Sequence, residues 1–260
     1  WITGFCFVNI KEKYMRYNEL TFQGRNAVLE AFRSGKTIDK LFILDGCQDG
    51  PIKSIVREAK KTDAIINYVD KERLDRLAGT GHHQGVVAIG AAYEYAEVED
   101  ILAAAKEKGE DPFIFILDEI EDPHNLGAII RTANLAGAHG VIIPKRRAVG
   151  LTATVAKTSA GAINYTPVAK VTNISQTIEE LKKQGLWFVC ADMGGETMYN
   201  LNLKGPIGLV IGNEGNGVSR LVKDKCDFIA SIPMKGDIDS LNASVAAGVL
   251  AYEIVRQRLN

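Results

Sequence analysis

The sequence predicts an α/β protein with two domains: a small α/β domain at residues 15–93 and a larger one at residues 112–260. Beyond residue 112, apolar segments that fit buried strands alternate with helical patterns. This alternation is typical of a mostly parallel sheet covered by helices on both faces. Between the domains, residues 94–111 are charged and rich in Ala, which favours a largely solvated connecting helix at a domain boundary.

Each predicted element follows from the spacing of its apolar residues. The first domain is predicted to contain helices at 26–33, 52–61 and 71–77 and strands at 40–44, 65–69 and 85–90. The second is predicted to contain strands at 113–117, 140–143, 186–191, 207–211 and 228–232, and helices at 126–136, 151–159, 174–184, 219–225 and 241–259. Residues 1–14 are interpreted as a non-native or disordered extension, because Met15 opens a segment that could start a protein unaided.

Composition excludes several classes of protein. No apolar run is long enough to span a bilayer, and no basic segment precedes the apolar run at residues 2–10, as a signal peptide requires. The four cysteines lie far apart without a C-x-x-C pair, which favours free thiols in the cytoplasm over a disulfide framework or a metal site. With 31 Lys and Arg against 32 Asp and Glu, the net charge is −1, which argues mildly against a nucleic-acid partner.

Ligands of parallel α/β sheets bind beyond the carboxyl ends of the strands, so the residues that follow each strand are the candidates for chemistry. After the strand at 113–117, Asn125 is placed to cap a helix that contains Arg131 among apolar residues. An arginine in such surroundings needs an anionic or carbonyl partner. The residues alone leave open whether that partner belongs to a structural ion pair or to a substrate.

Two further segments also follow predicted strands, and they carry unusual glycines or polar residues. The loop at 212–217 carries three glycines in six residues, in a spacing that does not match the dinucleotide fingerprint G-x-G-x-x-G. Ser240, Asn242 and Ser244 then open an otherwise apolar helix, with more polar side chains than one N-cap requires; Ser240 is the expected cap.

Residues 125–131, 212–217 and 232–246, in this order, resemble the three signature motifs of the SpoU (TrmH) family of RNA ribose 2′-O-methyltransferases. The first domain, with residues 24–28 near its start and 83–88 near its end, resembles the family's ribosomal-protein-like substrate-binding domain. The two-domain form is most similar to the bacterial enzymes that methylate guanosine in 23S rRNA.

The resemblance implies a SPOUT-type trefoil knot, a homodimer with its site at the interface, and S-adenosylmethionine as cofactor. It assigns cofactor binding to eight residues: Ala191, Asp192, Gly212, Asn213, Gly215, Ile232, Met234 and Leu241. It assigns catalysis to Asn125, Arg131, Glu214, Ser240 and Asn242.

The family places a general base at the position of Arg131, although arginine normally stays protonated. We therefore expect Arg131 to orient the ribose 2′-oxygen and its neighbouring phosphate, with deprotonation as an alternative role. Asn125 and Glu214 are expected to position Arg131, while Ser240 and Asn242 bind ribose, phosphate or the knot backbone.

RNA contacts are expected at Arg25 and at Lys145, Arg146 and Arg147, which would make the protein neutral overall but basic in patches. No metal is expected, and His82 and His83 are interpreted as loop residues. Three alternatives stay open. One is a tRNA 2′-O-methyltransferase, the second a non-catalytic RNA-binding adaptor on the same scaffold, and the third a nicotinamide-dependent oxidoreductase, which the missing fingerprint disfavours.

Overall fold

The computed structural model of this chain describes residues 20–62, 64–78, 82–238 and 240–259. The extension predicted at residues 1–14 lies outside the described residues. The chain divides into two compact units, one reaching to Glu94 together with Gly150–Ala153, the other formed by Tyr95–Val149 and the residues from Thr154 onward. Each unit contains one sheet.

The first unit is a four-stranded mixed sheet with helices packed on it. Its strands are β1 (Leu20–Gln23), β2 (Ile38–Leu44), β3 (Ile65–Val69) and β4 (Val86–Gly90), and its helices are α1 (Arg25–Arg33), α2 (Gly50–Lys61) and α3 (Lys71–Ala78). The strand order is β1-β4-β2-β3, with β2 and β3 parallel and both contacts of β4 antiparallel. The six predicted elements of this unit are present, and β1 is an addition to them.

Local sequence explains how the first unit forms its elements. The side chain of Asp49 accepts a hydrogen bond from the backbone N–H of Ile52, and Pro51 occupies the first turn, so α2 begins with a side-chain cap. Ile52 and Ile55 are fully buried on the sheet-facing side of α2, whereas the opposite face of the helix is polar. Burial of this apolar stripe holds α2 against the sheet.

The second unit is built on a six-stranded sheet. Its strands are β5 (Phe113–Leu117), β6 (Gly140–Pro144), β7 (Val168–Val171), β8 (Trp187–Thr197), β9 (Ile207–Ile211) and β10 (Phe228–Ser231). The helices from residue 95 onward are α4 (Val98–Lys108), α5 (Pro123–Leu135), α6 (Ala153–Thr158), α7 (Ile174–Lys182), α8 (Arg220–Lys223) and α9 (Ala243–Arg258), with short 3₁₀ turns at Ala162–Asn164 and Met198–Asn200. Strand β7 was not predicted from the sequence, and β8 extends six residues beyond its predicted end.

All five strand pairings of this sheet are parallel, in the order β10-β8-β9-β5-β6-β7. Every residue of β5 and β9, in the middle of the sheet, is buried, as expected for strands covered on both faces. The α/β fold class with a mostly parallel sheet is therefore confirmed. Because β10, β8, β9 and β5 are neighbours, the segments that follow them all leave the same edge of the sheet.

The connecting segment forms a helix, as predicted, but one side of it is packed. Six of the eleven residues of α4 are exposed, whereas Ile101 and Ala105 are completely buried. Ile101 belongs to the core of the second unit, and an added Cβ at Gly140 of β6 would lie 2.6 Å from its side chain. The helix therefore packs on the second unit through its apolar side and exposes its charged residues.

Candidate functional site

A cavity of about 400 Å³ lies at the carboxyl edge of the second unit's sheet, between residues 191–193 of β8, the segments that follow β9 and β10, and the start of α9. This volume falls in the range of small-molecule sites. All eight predicted cofactor residues line the cavity, together with Glu214 and Ser240 from the predicted catalytic set. Seven further residues line it: Met193, Ile211, Asn216, Gly217, Ala230, Ala243 and Ala246.

The glycine-rich loop after β9 forms one wall of the cavity and is tightly closed. The backbone N–H of Asn213 donates to the carbonyl of Gly217 at 3.1 Å, and the N–H of Gly217 donates back to the carbonyl of Asn213 at 2.8 Å. Gly217 has a φ of 65°, and an added Cβ at Gly212 would lie 2.1 Å from the Gly217 carbonyl carbon. The loop therefore needs glycine at both positions, and its backbone lies bare against the cavity.

Two carboxylates line the cavity, whereas no Lys or Arg stands among its described lining residues. Asp192 forms an ion pair with Lys223 of α8 at 2.7 Å and accepts a hydrogen bond from the N–H of Gly194. The hydrogen bond from Lys223 holds the pKa of the Asp192 carboxyl below its ordinary value, and the same contact raises the pKa of Lys223. The second carboxylate belongs to Glu214.

Glu214 joins the three predicted motifs in one hydrogen-bond network. Its Oε1 accepts a hydrogen bond from the side-chain amide of Asn125 at 2.9 Å and another from that of Asn242. The amide of Asn242 also donates to Oδ1 of Asn125 at 3.0 Å. The loop after β9, the first turn of α5 and the start of α9 are thereby tied together next to the cavity.

Both predicted helix caps are wrong, because the observed cap lies three residues earlier in α5 and two residues later in α9. Asp122 caps α5 by accepting from the N–H of His124, while Asn125 lies inside the first turn, nearly buried, with its side chain turned to Glu214. Asn242, rather than Ser240, caps α9 by accepting from the backbone N–H groups of residues 244 and 245. Asn125 and Asn242 thus serve the network described above.

Arg131 lies on the exposed face of α5, one turn before Leu135, which is 65% exposed. Its side chain forms no hydrogen bond or ion pair with any other residue that the structure describes, so the ion-pair alternative finds no partner within this part of the chain. The side chains of Asn125 and Glu214 form hydrogen bonds with each other and with Asn242, not with Arg131. The structure therefore brings together four of the five predicted catalytic residues at or beside the cavity and leaves Arg131 directed to solvent.

The predicted RNA-contacting residues are spread over both units. In the second unit, Arg147 is exposed, has a φ of 54° and forms an ion pair with Glu119 at 2.8 Å, while Arg146 is also exposed. Lys145 is half-buried directly after β6. In the first unit, Arg25 is held by Asp49 at 2.5 Å and by the backbone carbonyl of Gln84 at 3.2 Å. These contacts give Arg25 a structural role in joining α1 to the start of α2.

His83, interpreted above as a loop residue, has two local partners. It is buried, with Nδ1 accepting from the N–H of Gly85 and Nε2 within 2.9 Å of Asp75.

The cysteines form no disulfide among the described residues. Cys47, Cys190 and Cys226 are free thiols, while Cys6 lies outside the described residues. Within the described chain, no group of three His, Cys, Asp or Glu could hold a metal ion, and no helix has the length and apolar character to cross a membrane.

The chain matches two protein families that together cover most of its length. The SpoU rRNA methylase family matches residues 112–252, and the family described as RNA 2′-O ribose methyltransferase substrate binding matches residues 23–96. The Bacillus subtilis protein YacO, assigned to the TrmH family of tRNA/rRNA methyltransferases, is 53% identical over 236 residues, which are 90% of this chain and 94% of YacO.

Solved structures show the same fold. The SpoU methyltransferase AviRb from Streptomyces viridochromogenes matches with a TM-score of 0.59 and 26% identity, over 95% of this chain and 93% of AviRb. AviRb in complex with the cofactor AdoMet matches with a TM-score of 0.58 and 25% identity, over 97% of this chain and 95% of that one.

Proposed function

The chain belongs to the SpoU rRNA methylase family of RNA methyltransferases, and on this premise we propose that it transfers a methyl group from S-adenosylmethionine to a ribose 2′-hydroxyl of RNA. We further propose that the nucleotide is a guanosine of 23S rRNA. The observation that carries the proposal is the cavity, because residues of the second and third motifs line it and Asn125 of the first motif is hydrogen-bonded to both.

The residues of the cavity fit S-adenosylmethionine in shape and in charge. Ile211, Ile232 and Leu241 supply apolar walls for a purine ring, and the bare backbone of the loop at 212–217 lets polar ligand atoms approach closely. The two lining carboxylates favour a ligand that carries positive charge, as a sulfonium does. When bound, S-adenosylmethionine supplies an electrophilic methyl group. AviRb, which has the same fold, binds this cofactor.

The chain's own residues would provide alignment, which is the main source of rate in a methyl transfer between two bound molecules. The network of Asn125, Glu214 and Asn242 holds the start of α9 against the glycine-rich loop, so the cavity keeps one shape. We propose that Arg131 orients the ribose 2′-oxygen and the adjacent phosphate through its planar, bidentate guanidinium.

We also propose that the enzyme acts as a homodimer. Leu135 on α5 and Val245 and Tyr252 on α9 are large apolar side chains that are 65%, 49% and 52% exposed, respectively. These two helices pack against each other, so a second copy seated on them would bury this apolar surface. Such a copy would also place groups beside the exposed Arg131, which completes a site shared between subunits.

A reconstituted transfer assay tests the proposed function. Purified protein is incubated with methyl-labelled S-adenosylmethionine and either deproteinised 23S rRNA or bulk tRNA. We expect label in the 23S rRNA, at one nucleotide whose 3′ phosphodiester resists alkali because the 2′-oxygen is blocked. Label in tRNA alone would favour the tRNA-modifying alternative, which the assignment of YacO to tRNA/rRNA methyltransferases keeps open. Cofactor binding without transfer to either RNA would favour the adaptor.

A further inference from the structure

The solvent face of α2 in the first unit carries a row of basic side chains. Lys53, Arg57, Lys60 and Lys61 are all exposed, with the side chains of Arg57 and Lys61 73% and 62% accessible. At 3.6 residues per turn, the first three lie within one narrow stripe, which extends over about 10 Å of the helix. The opposite face of α2 buries Ile52, Ile55 and Ala59, so the stripe is directed away from the unit's core.

Helix α1 adds a fifth cation to this face. The pKa of the Glu58 carboxyl is lowered, first by its hydrogen bond from Lys61 and further by the positive charges of Arg57 and Arg33. Arg33 ends α1, which packs beside α2, and it is exposed. Lys61 and Arg57 thus form ion pairs with Glu58, and Arg33 is a third cation whose charge acts on it. We call Arg33, Lys53, Arg57, Lys60 and Lys61 the α2 basic face.

The acidic residues on these two helices neutralise only part of the charge. Glu58, which is half-buried, is engaged with Lys61 at 2.9 Å and lies 3.7 Å from Arg57. The other carboxylate on these two helices is Glu30, which is exposed. Lys53, Lys60 and Arg33 have no carboxylate within ion-pair distance among the residues that the structure describes. The face therefore carries a net positive charge of several units within a protein whose total is −1.

Helix α3, in the same unit, has no comparable surplus of positive charge on its exposed side. Its exposed cations are Lys71, Arg73 and Arg76, but Asp70, Glu72 and Asp75 alternate with them. Arg76 lies 3.8 Å from Glu72, and the N–H of Arg73 donates to Asp70. The charges on α3 cancel locally, whereas those on α2 do not.

We propose that the α2 basic face binds the phosphate backbone of the RNA substrate. The proposal rests on the proposed function in taking RNA as the substrate, and it names the surface of the first unit that holds the RNA. A row of flexible lysine and arginine side chains at separations of about 5–6 Å along a rigid helix suits contacts with successive phosphates, which read no sequence. The guanidinium of Arg25, by contrast, is already bound to the carboxylate of Asp49 and the backbone carbonyl of Gln84.

Two matched triple variants of the full chain test this proposal. One carries Lys53→Gln, Arg57→Gln and Lys60→Gln on α2; the other carries Lys71→Gln, Arg73→Gln and Arg76→Gln on α3. Each removes three exposed positive charges and no buried side chain. Binding to deproteinised 23S rRNA and to bulk tRNA is measured from low to moderate salt, with S-adenosylmethionine affinity and thermal unfolding as checks that each variant is folded.

For the α2 variant, we expect the magnitude of the slope of log affinity against log salt to fall by about 2, because each of the three lost phosphate contacts contributes about 0.7 to it. Binding at low salt should be at least about tenfold weaker. The α3 variant should bind within about twofold of wild type. Wild-type affinity and slope in the α2 variant, equal losses in both variants, or no RNA binding by the wild type would overturn the proposal. RNA binding that depends on α2 but is accompanied by no methyl transfer would refute the proposed function alone.

Discussion

Replacing Gly212 by alanine tests whether the glycine-rich loop shapes the cofactor cavity. The new Cβ would lie 2.1 Å from the carbonyl carbon of Gly217 and 2.2 Å from the backbone nitrogen of Val218, where ordinary contacts begin at 3.4 Å. Both obstacles are backbone atoms, so no side-chain rotation can relieve the overlap. The backbone at Gly212 and the backbone at Gly217 and Val218 must move apart by more than about 1 Å, and the surrounding packing opposes this movement.

The energetic cost follows from this geometry. Overpacking costs about 1–3 kcal/mol, and separation of the loop also weakens the two hydrogen bonds between Asn213 and Gly217, each worth about 1 kcal/mol. A total of about 3 kcal/mol lowers the melting temperature by roughly 6–12 °C. If about half of this free energy is lost from cofactor binding because the distorted loop no longer fits the ligand, the affinity for S-adenosylmethionine falls by about tenfold or more.

Isothermal titration with S-adenosylmethionine and thermal unfolding measure the two effects. Gly236→Ala is the matched control, because an added Cβ there would meet no atom within 4 Å and Gly236 does not line the cavity. We expect the control to stay within about threefold of wild-type affinity. A Gly212→Ala protein with wild-type affinity and melting temperature would refute the account of the loop.

Three further predictions concern single residues of the site. Arg131→Ala should reduce methyl transfer by about 100-fold or more while leaving S-adenosylmethionine affinity within about twofold, because Arg131 does not line the cavity. Asn242→Ala should destabilise the protein by about 1–2 kcal/mol, seen as a drop in melting temperature, whereas Ser240→Ala should change it little. Lys223→Met should raise the pKa of Asp192. Because a depressed carboxyl pKa favours the ionised state down to low pH, the acid midpoint of S-adenosylmethionine binding should then move to higher pH.

Each of these predictions has a contradicting result. Arg131→Ala with near wild-type turnover would remove Arg131 from the proposed mechanism. Equal melting losses for Asn242→Ala and Ser240→Ala would show that the cap contact at Asn242 does not matter. An unchanged or lowered acid midpoint in Lys223→Met would show that the pair of Asp192 and Lys223 does not support cofactor binding.

Long apolar strands were predictable because their burial is written into the sequence as continuous hydrophobic segments, as at Phe113–Leu117 and Ile207–Ile211. The four-residue strands β1 and β7 carry no such signal, and pairing with β4 and β6 makes them strands. The burial of α4 was readable in principle, since Val98, Ile101, Leu102 and Ala105 recur at helical spacing. The high charge of the surrounding residues masked that pattern.

The site shows the same division between local and tertiary information. All eight cofactor residues came from the resemblance of the motifs, and each lies on the cavity. The Asp-Pro pair at 122–123 was a local signal that Asp122, not Asn125, caps α5, since Pro favours the first helical position. No local pattern could place Glu214 against Asn125 and Asn242, which lie 89 and 28 residues away in sequence. The trefoil knot likewise rests on the resemblance, because periodicity carries no information about threading.

The net charge of −1 illustrates how an average can mislead. It argues mildly against nucleic acid, yet the chain belongs to an RNA methyltransferase family, and its basic residues are unevenly distributed. The α2 basic face belongs to the first unit and the carboxylate-lined cavity to the second. The distribution of charge decides what a surface binds, and its sum decides little.

The measurement that tests the central claim most directly is a map of ribose 2′-O-methylation in total RNA from cells with and without the gene for this protein. We predict that one methylated guanosine of 23S rRNA is lost on deletion and restored by the wild-type gene, but not by a gene that encodes Arg131→Ala. An identical methylation map in both cell types would contradict the account.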